Sequence, residues 1–207
     1  MIDLILNLDV HLVSLIQMYG VWIYAIVFVV IFCETGLVIA PFLPGDSLLF
    51  LLGGLAARGL IDMQVIIFIT IVAAFLGDAV NYHIGKLLGR KVFHSDTSRI
   101  FKKKYLTQTE AFYEKYGAKA IIIARFMPIV RTFAPFVAGV GKMSYRRFLA
   151  YNIIGGIAWV LIFVVGGYLF GNIPFIKENL TIMVMVIIVL SVIPALIEYL
   201  RNRRQAK

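Results

Sequence analysis

Residues 34–59 read ETGLVIAPFLPGDSLLFLLGGLAARG, and residues 120–141 read AIIIARFMPIVRTFAPFVAGVG. Both stretches are apolar enough for lipid, yet both carry residues that stop a helix inside it. In the first, Pro41, Pro44 and Gly45 interrupt the run, because proline lacks the N–H of the helical ladder and its ring clashes with the preceding turn. From Asp46 to Arg58 is 13 residues, about 20 Å of helix against a hydrocarbon core of about 30 Å. Neither half crosses alone, so the expected form is a re-entrant hairpin over about 34–59. In the second stretch Arg125, Pro128, Arg131 and Pro135 create the same problem, and a second re-entrant hairpin is expected over about 120–141. Pro41 to Gly54 and Pro128 to Gly141 have equal separations. Each hairpin is followed by an apolar span ending in spaced glycines, Gly85 and Gly89 or Gly167 and Gly171, a repeat weak by identity but regular in layout.

Composition puts these stretches in a membrane. Of 207 residues, 61% are hydrophobic, an excess over the roughly 45–50% apolar content of soluble domains. No Ser/Gly/Pro-rich linker divides the chain, so 1–207 is read as one domain. Cys33 is the single cysteine and forms no internal disulfide. The net charge of +9 is unevenly placed: up to Gly85 the only basic residue is Arg58, whereas residues 86–119 hold nine lysines and arginines. That run is flanked by membrane-length apolar stretches, which argues for a membrane face and against nucleic acid as a partner. Asp3 and Asp9 precede the first apolar stretch without any Lys or Arg, so no cleaved signal peptide is expected.

Outward from the two hairpins, residues 2–18 have leucines and isoleucines at helical spacing among polar residues and read as an interfacial amphipathic helix. A first span runs from about Val10 to Phe32, with Tyr19 and Trp22 as aromatic anchors. A second covers 63–88. Residues 89–119 read as a basic amphipathic segment against headgroups. A third span follows Arg146 and Arg147 to about Phe170, and a C-terminal span ends before Arg201. Placing the basic segment in the cytoplasm puts Arg146, Arg147 and the basic tail inside as well, with both termini cytoplasmic. One hairpin then dips from each face. The expected fold is an all-α integral membrane protein with an inverted repeat of re-entrant hairpin plus transmembrane helix, the layout in which broken helices meet at the midplane.

Glu34, Asp46, Arg125 and Arg131 sit at or within the breaks. A charge at a helix centre in lipid costs about 2.5–3.5 kcal/mol on insertion scales, so these four must face one another or water. The simplest account is that Glu34 and Asp46 pair with the arginines, Asp46 also serving as a helix cap ahead of Ser47. A division by proton chemistry goes further. Arginine keeps its proton, while a carboxylate taken out of water exchanges one near neutral pH, so Glu34 and Asp46 are candidate proton carriers. Arg125 and Arg131 are candidate phosphate ligands, and helix N-termini at Ser47 and Thr132 would add backbone donors. Pro44, Gly45 and Pro128 shape the breaks. Asp78, Asn81, Tyr82 and Gly85 share one helical face, as do Asn152, Gly155, Gly156 and Trp159. The glycines suit close packing, and Asp78, ionisable and deep in a span, is a further proton-coupling candidate. His11, His83 and His94 make no metal-ligand cluster, so no metal or other cofactor is expected.

FCETGLVIAPFLPGDSLLF, GDAVNYHIGKLLG and ARFMPIVRTFAPFVAGVGKMSYRRFLAYNIIGGIAW resemble the DedA family, also called the SNARE-associated or VTT-domain family, in the family's order and over nearly the whole chain. The resemblance implies a bacterial inner-membrane protein of envelope homeostasis whose relatives transport lipids, among them undecaprenyl phosphate and phosphatidylethanolamine, in dependence on the proton motive force. It also implies that the family's important acidic and arginine positions fall on Glu34, Asp46, Arg125 and Arg131. The expected function is therefore a proton-coupled flippase for a phosphate-headgroup lipid. Two alternatives stand beside it: a lipid-phosphate enzyme, for which Ser47 and Thr132 are the hydroxyls next to Asp46 and Arg131 and no histidine lies in either hairpin, and a membrane assembly scaffold. Whether copies of the chain associate as a homo-oligomer is left open by the sequence.

Overall fold

A computed structural model describes residues 14, 16, 18–37, 45–88, 103–141 and 143–174. Among them the structure is all-helical: α1 (Trp22–Gly36), α2 (Gly45–Ala57), α3 (Met63–Leu88), α4 (Lys103–Tyr116), a 3-10 turn (Gly117–Lys119), α5 (Ala120–Ala124), α6 (Pro128–Val140) and α7 (Tyr145–Gly171). The expected N-terminal amphipathic helix (2–18, mostly), Pro41, Pro44, the first part of the basic segment (89–102) and the C-terminal span lie outside the described residues.

Two helices are long and apolar enough to cross a membrane, α3 with 26 residues and α7 with 27. At 1.5 Å per residue each is about 40 Å long, ample for a core of about 30 Å. α3 starts where Asp62 Oδ1 accepts the Val65 N–H at 2.9 Å, which satisfies one of the helix's orphan donors. Upstream, α2 is closed off by Gly59, whose φ of 72° allows the Gly59 and Leu60 N–H groups to bond back to Ala56 and Leu55. α2 and α6 have 13 residues each, about 20 Å.

The break in the second apolar stretch falls at Arg125–Met127. Met127 is extended (φ −121°, ψ 108°), as expected of a residue before proline. Pro128 then opens α6 at a position where a missing N–H costs nothing. This corrects one expectation. Thr132 is not at a helix N-terminus, because Pro128 has already started the helix and the Arg131 N–H donates to Met127 O at 2.8 Å; the spare donors of a first turn lie before Thr132. Ser47, two residues into α2, does sit in a first turn. Glu34 also differs from expectation, lying inside the last turn of α1 rather than in a break of its own.

The chain divides into two compact units, one of residues 1–23, 44–67 and 161–207, the other of 24–43 and 68–160. In the first unit α2 packs on the C-terminal part of α7. A methyl at Gly53 would overlap the Val164 carbonyl oxygen and lie 2.8 Å from Tyr168 N, and one at Gly167 would overlap the Phe50 carbonyl oxygen. In the second unit α6 packs on the C-terminal part of α3 in the same register. A methyl at Gly139 would overlap the Tyr82 carbonyl oxygen and lie 2.8 Å from Lys86 N, and one at Gly85 would overlap the Phe136 carbonyl oxygen. In both units a Phe-x-x-Gly helix meets a partner glycine at backbone distance, the close approach that apolar membrane helices use in place of a hydrophobic driving force. The short helix of each sequence repeat is thus seated on the long helix of the other.

Candidate functional site

The second unit gathers most of the expected site residues. α1 and α3 meet at Gly36 and Gly77: a methyl at Gly77 would overlap Thr35 Oγ1, and one at Gly36 would lie 3.2 Å from Gly77 Cα. That approach brings the turn carrying Glu34 beside the turn carrying Asp78. Asn81, fully buried, fixes the layer, its Nδ2 donating to Thr35 O at 3.3 Å and to Thr132 O at 2.9 Å. One side chain so ties α1 and α6 to α3.

Arg125, at the break after α5, is 3% exposed. Its Nη2 donates to Asp78 Oδ2 and, at 2.5 Å, to Asn152 Oδ1, while Asn152 Nδ2 donates to Phe75 O at 3.3 Å. The side chain crosses α7 over two glycines: a methyl at Gly155 would lie 3.2 Å from its Cδ, and one at Gly156 3.5 Å from its Nη2. Nη2 belongs to both forks of a guanidinium, so using its hydrogens on Asp78 and Asn152 leaves neither fork whole for a bidentate oxyanion. Nε and Nη1 are buried without a hydrogen-bond partner among the described residues.

Arg131, on α6, pairs through Nη2 with Glu34 Oε1 at 3.1 Å. Its Cζ lies 4.1 Å from the centroid of the Trp159 ring, and that of Arg125 lies 5.9 Å from the same ring. Trp159 is fully buried. Two carboxylates, two guanidiniums and one indole therefore share a layer that is neutral when all four charges are present, the condition under which buried ions are tolerated.

Set against the sequence reading, Asp78 rather than Asp46 is the partner of Arg125. Asp46 sits in the first turn of α2, half-buried, in the other unit, and Gly45 and Ser47 are there with it. Tyr82 is a packing residue: its hydroxyl donates to Met143 O and its ring stacks on Phe148 with centroids 4.5 Å apart. Thr132 contributes its carbonyl to Asn81, and Pro128 sets the break. Trp159 was visible on the Asn152 face but not assigned a role; its spacing of seven from Asn152 was the available signal. Tyr113 was missed. From the amphipathic helix α4, which packs on α6, it donates to Ala134 O at 2.8 Å. Burial, with the Asp78 carboxylate adding to it, holds this phenol above its ordinary range, so it remains a donor.

Residues 43–169 match the VTT domain. The chain is 55% identical over 208 residues to Protein DedA of Escherichia coli K12, covering all of this chain and 95% of that one. It is 35% identical over 171 residues to the Inner membrane protein YghB of the same organism, covering 83% and 75%, and 38% identical over 152 residues to its Inner membrane protein YqjA, covering 73% and 69%. No solved structure matches. With the domain matched over more than half its length and one relative aligned from end to end, the chain belongs to the DedA family of VTT-domain membrane proteins.

Proposed function

We propose that the chain is a transporter that moves a phosphate-headgroup lipid between the leaflets of the bacterial inner membrane and is driven by proton uptake at its buried carboxylates. Undecaprenyl phosphate and phosphatidylethanolamine are the substrates to try first. The observation that carries this reading is the arginine–carboxylate layer of the second unit, in which Arg131 is held to Glu34 at 3.1 Å and Arg125 to Asp78. Four ionisable groups buried among apolar helices are costly unless they work. Protonating Glu34 removes the anion opposite Arg131, and a phosphate oxygen then takes its place; loss of the proton restores the carboxylate and expels the phosphate. Asp78 does the same more stiffly for Arg125, which supplies positive charge more than a free fork. Asp46, in the first turn of α2, is the proton carrier proposed for the other unit.

The finer topology belongs to the same proposal. α2 and the α5–α6 pair are re-entrant, and substrate passes by alternating exposure of the layer that α6 lines in the second unit. Among the described residues of the layer the Thr35 hydroxyl donates to Ile31 O at 3.0 Å and no histidine is among the contacts, so the reading is of transport without covalent chemistry.

The test is flipping of defined lipids by purified protein in vesicles, with and without a pH gradient. Wild type should move phosphate-headgroup lipids faster with the gradient, and Arg131→Ala should insert normally and move none. Flipping by that variant at the wild-type rate refutes the role of Arg131, and release of inorganic phosphate from a lipid monophosphate would make the protein an enzyme instead.

A further inference from the structure

Arg131 cannot serve a phosphate if it leaves the layer when Glu34 releases it. An arginine side chain freed from its counter-ion regains rotamer freedom and turns toward the nearest water. The side chain against it is Trp159, fully buried on α7, with the guanidinium carbon 4.1 Å from the ring centroid. Tryptophan offers the strongest aromatic face for a cation, and the interaction gains strength away from water. Of the charged groups around this pair, Glu34 comes from α1 and Asp78 from α3, and Arg125 enters from the break at 5.9 Å from the same ring.

We infer that Trp159 is a positioning residue: its indole holds the Arg131 guanidinium in place while the anion opposite changes from the Glu34 carboxylate to a phosphate oxyanion. The ring interacts with the cation through its π-face and leaves the N–H groups at the guanidinium's edge to whichever anion is present. It needs no proton and does not compete with phosphate. Arg125 requires no such platform, since Asp78 and Asn152 fix it from two helices. The glycines at 155 and 156, on the same stretch of α7, leave room for Arg125, and Trp159 presents its ring to both arginines from that stretch. The anion's identity as phosphate rests on the transport reading above; the holding of Arg131 does not.

The chain has two tryptophans, so a Trp22→Phe protein carries a single reporter. With 5-fluorotryptophan incorporated, the 19F resonance of position 159 is read in the full chain in phosphatidylcholine nanodiscs. Glu34→Gln imitates the protonated acid and should leave the resonance near its wild-type position, whereas Arg131→Gln should displace it. If Glu34→Gln displaces it as far as Arg131→Gln does, the platform does not hold and the inference is wrong. A second arm uses more heavily fluorinated tryptophans, which keep the ring's shape while weakening its negative face. Affinity for dihexanoyl phosphatidic acid, and separately for inorganic phosphate, should fall stepwise by up to about tenfold with the melting temperature unchanged. Affinity indifferent to fluorination overturns the inference. Should neither phosphate probe bind wild type, the transport reading fails, and the resonance comparison alone still decides the role of Trp159.

Discussion

At the scale of single residues, the Arg125–Asp78–Asn152 cluster sets the largest energies. Removing one partner of a buried ion pair leaves the other uncompensated, at a cost of about 3–5 kcal/mol. Asp78→Ala should therefore lower the unfolding midpoint of the purified protein strongly, and Arg125→Met in the same chain should recover much of the loss. A small effect of Asp78→Ala alone would show that Arg125 finds its counter-charge elsewhere. The two glycines beneath Arg125 should respond with opposite sign. A methyl at Gly156 meets Arg125 at 3.5 to 4.0 Å, ordinary contact, and alanine is worth about 0.5–1 kcal/mol over glycine inside a helix, so Gly156→Ala should melt slightly higher than wild type. At Gly155 the methyl lies 3.2 Å from the Ile122 backbone, which cannot swing aside, and Gly155→Ala should melt lower. Which acid meets which arginine was not legible in the sequence. Asp46 stands beside an apolar break and Asp78 deep in a span, and Arg125 meets Asp78 across a sequence separation of 47, a contact that local spacing does not encode. The cost argument did find Glu34, Arg125 and Arg131, because a charge in an apolar run is conspicuous without knowledge of its partner.

At the scale of elements, the same crossing occurs twice. Phe50 and Gly53 of α2 meet Gly167 and Val164 of α7 as Phe136 and Gly139 of α6 meet Gly85 and Tyr82 of α3, and the paired glycines fail the same test of an added methyl. Filling such a contact forces the helices apart, typically at about 1–3 kcal/mol for a small group and more for a large one. Gly53→Val and Gly139→Val should therefore destabilise to a similar degree in thermal unfolding. If the repeats share packing but divide function, Gly139→Val should cost more transport than Gly53→Val, because α6 also carries Arg131; equal losses of transport would contradict that division. The register that superposes the two crossings makes Asp46 the equivalent of Thr132, one residue from Gly45, the equivalent of Arg131. The repeat is thus preserved in backbone contact and has diverged in charge. The equal Pro-to-Gly separations align the two stretches one residue away from the register of the crossings, and Pro41 and Gly89 lie outside the described residues; the repeat's sequence trace was legible at Gly85 and Gly167, where a helix approaches at backbone distance. The exchange, with each short helix seated on the other repeat's long helix, was not, because a sequence repeat specifies equivalent surfaces without saying which copy meets which. The bounds of α3 and α7 were readable to within a few residues, since a helix crossing lipid has its length set by the bilayer, whereas α6 begins earlier than Thr132 because Pro128 is as good a first residue as it is a poor interior one.

At the scale of the whole molecule, the charge asymmetry makes a prediction that the fold alone does not. α3 and α7 are each long enough to cross, and basic residues sit at the end of α3 (Lys86) and the start of α7 (Arg146, Arg147). Positive residues in short loops remain on the cytoplasmic side, so the segment from the end of α3 through α4 to the start of α7 should be cytoplasmic, and the start of α3 and the end of α7 should face the other way. For that to hold, the α5–α6 pair must return to the side it left, as a 13-residue helix of about 20 Å must in a core of about 30 Å. Four exposed positions read this out: Gln64, Glu114, Arg147 and Asn172. With Cys33, the single cysteine, replaced by serine, a cysteine at Glu114 or Arg147 should react with a membrane-impermeant maleimide only from the cytoplasmic side, and one at Gln64 or Asn172 only from the periplasmic side. Glu114 and Arg147 labelling from opposite sides would mean that α5 and α6 cross the bilayer, and the arginine layer would then lie on an ordinary span with no return path to expose it alternately to the two leaflets.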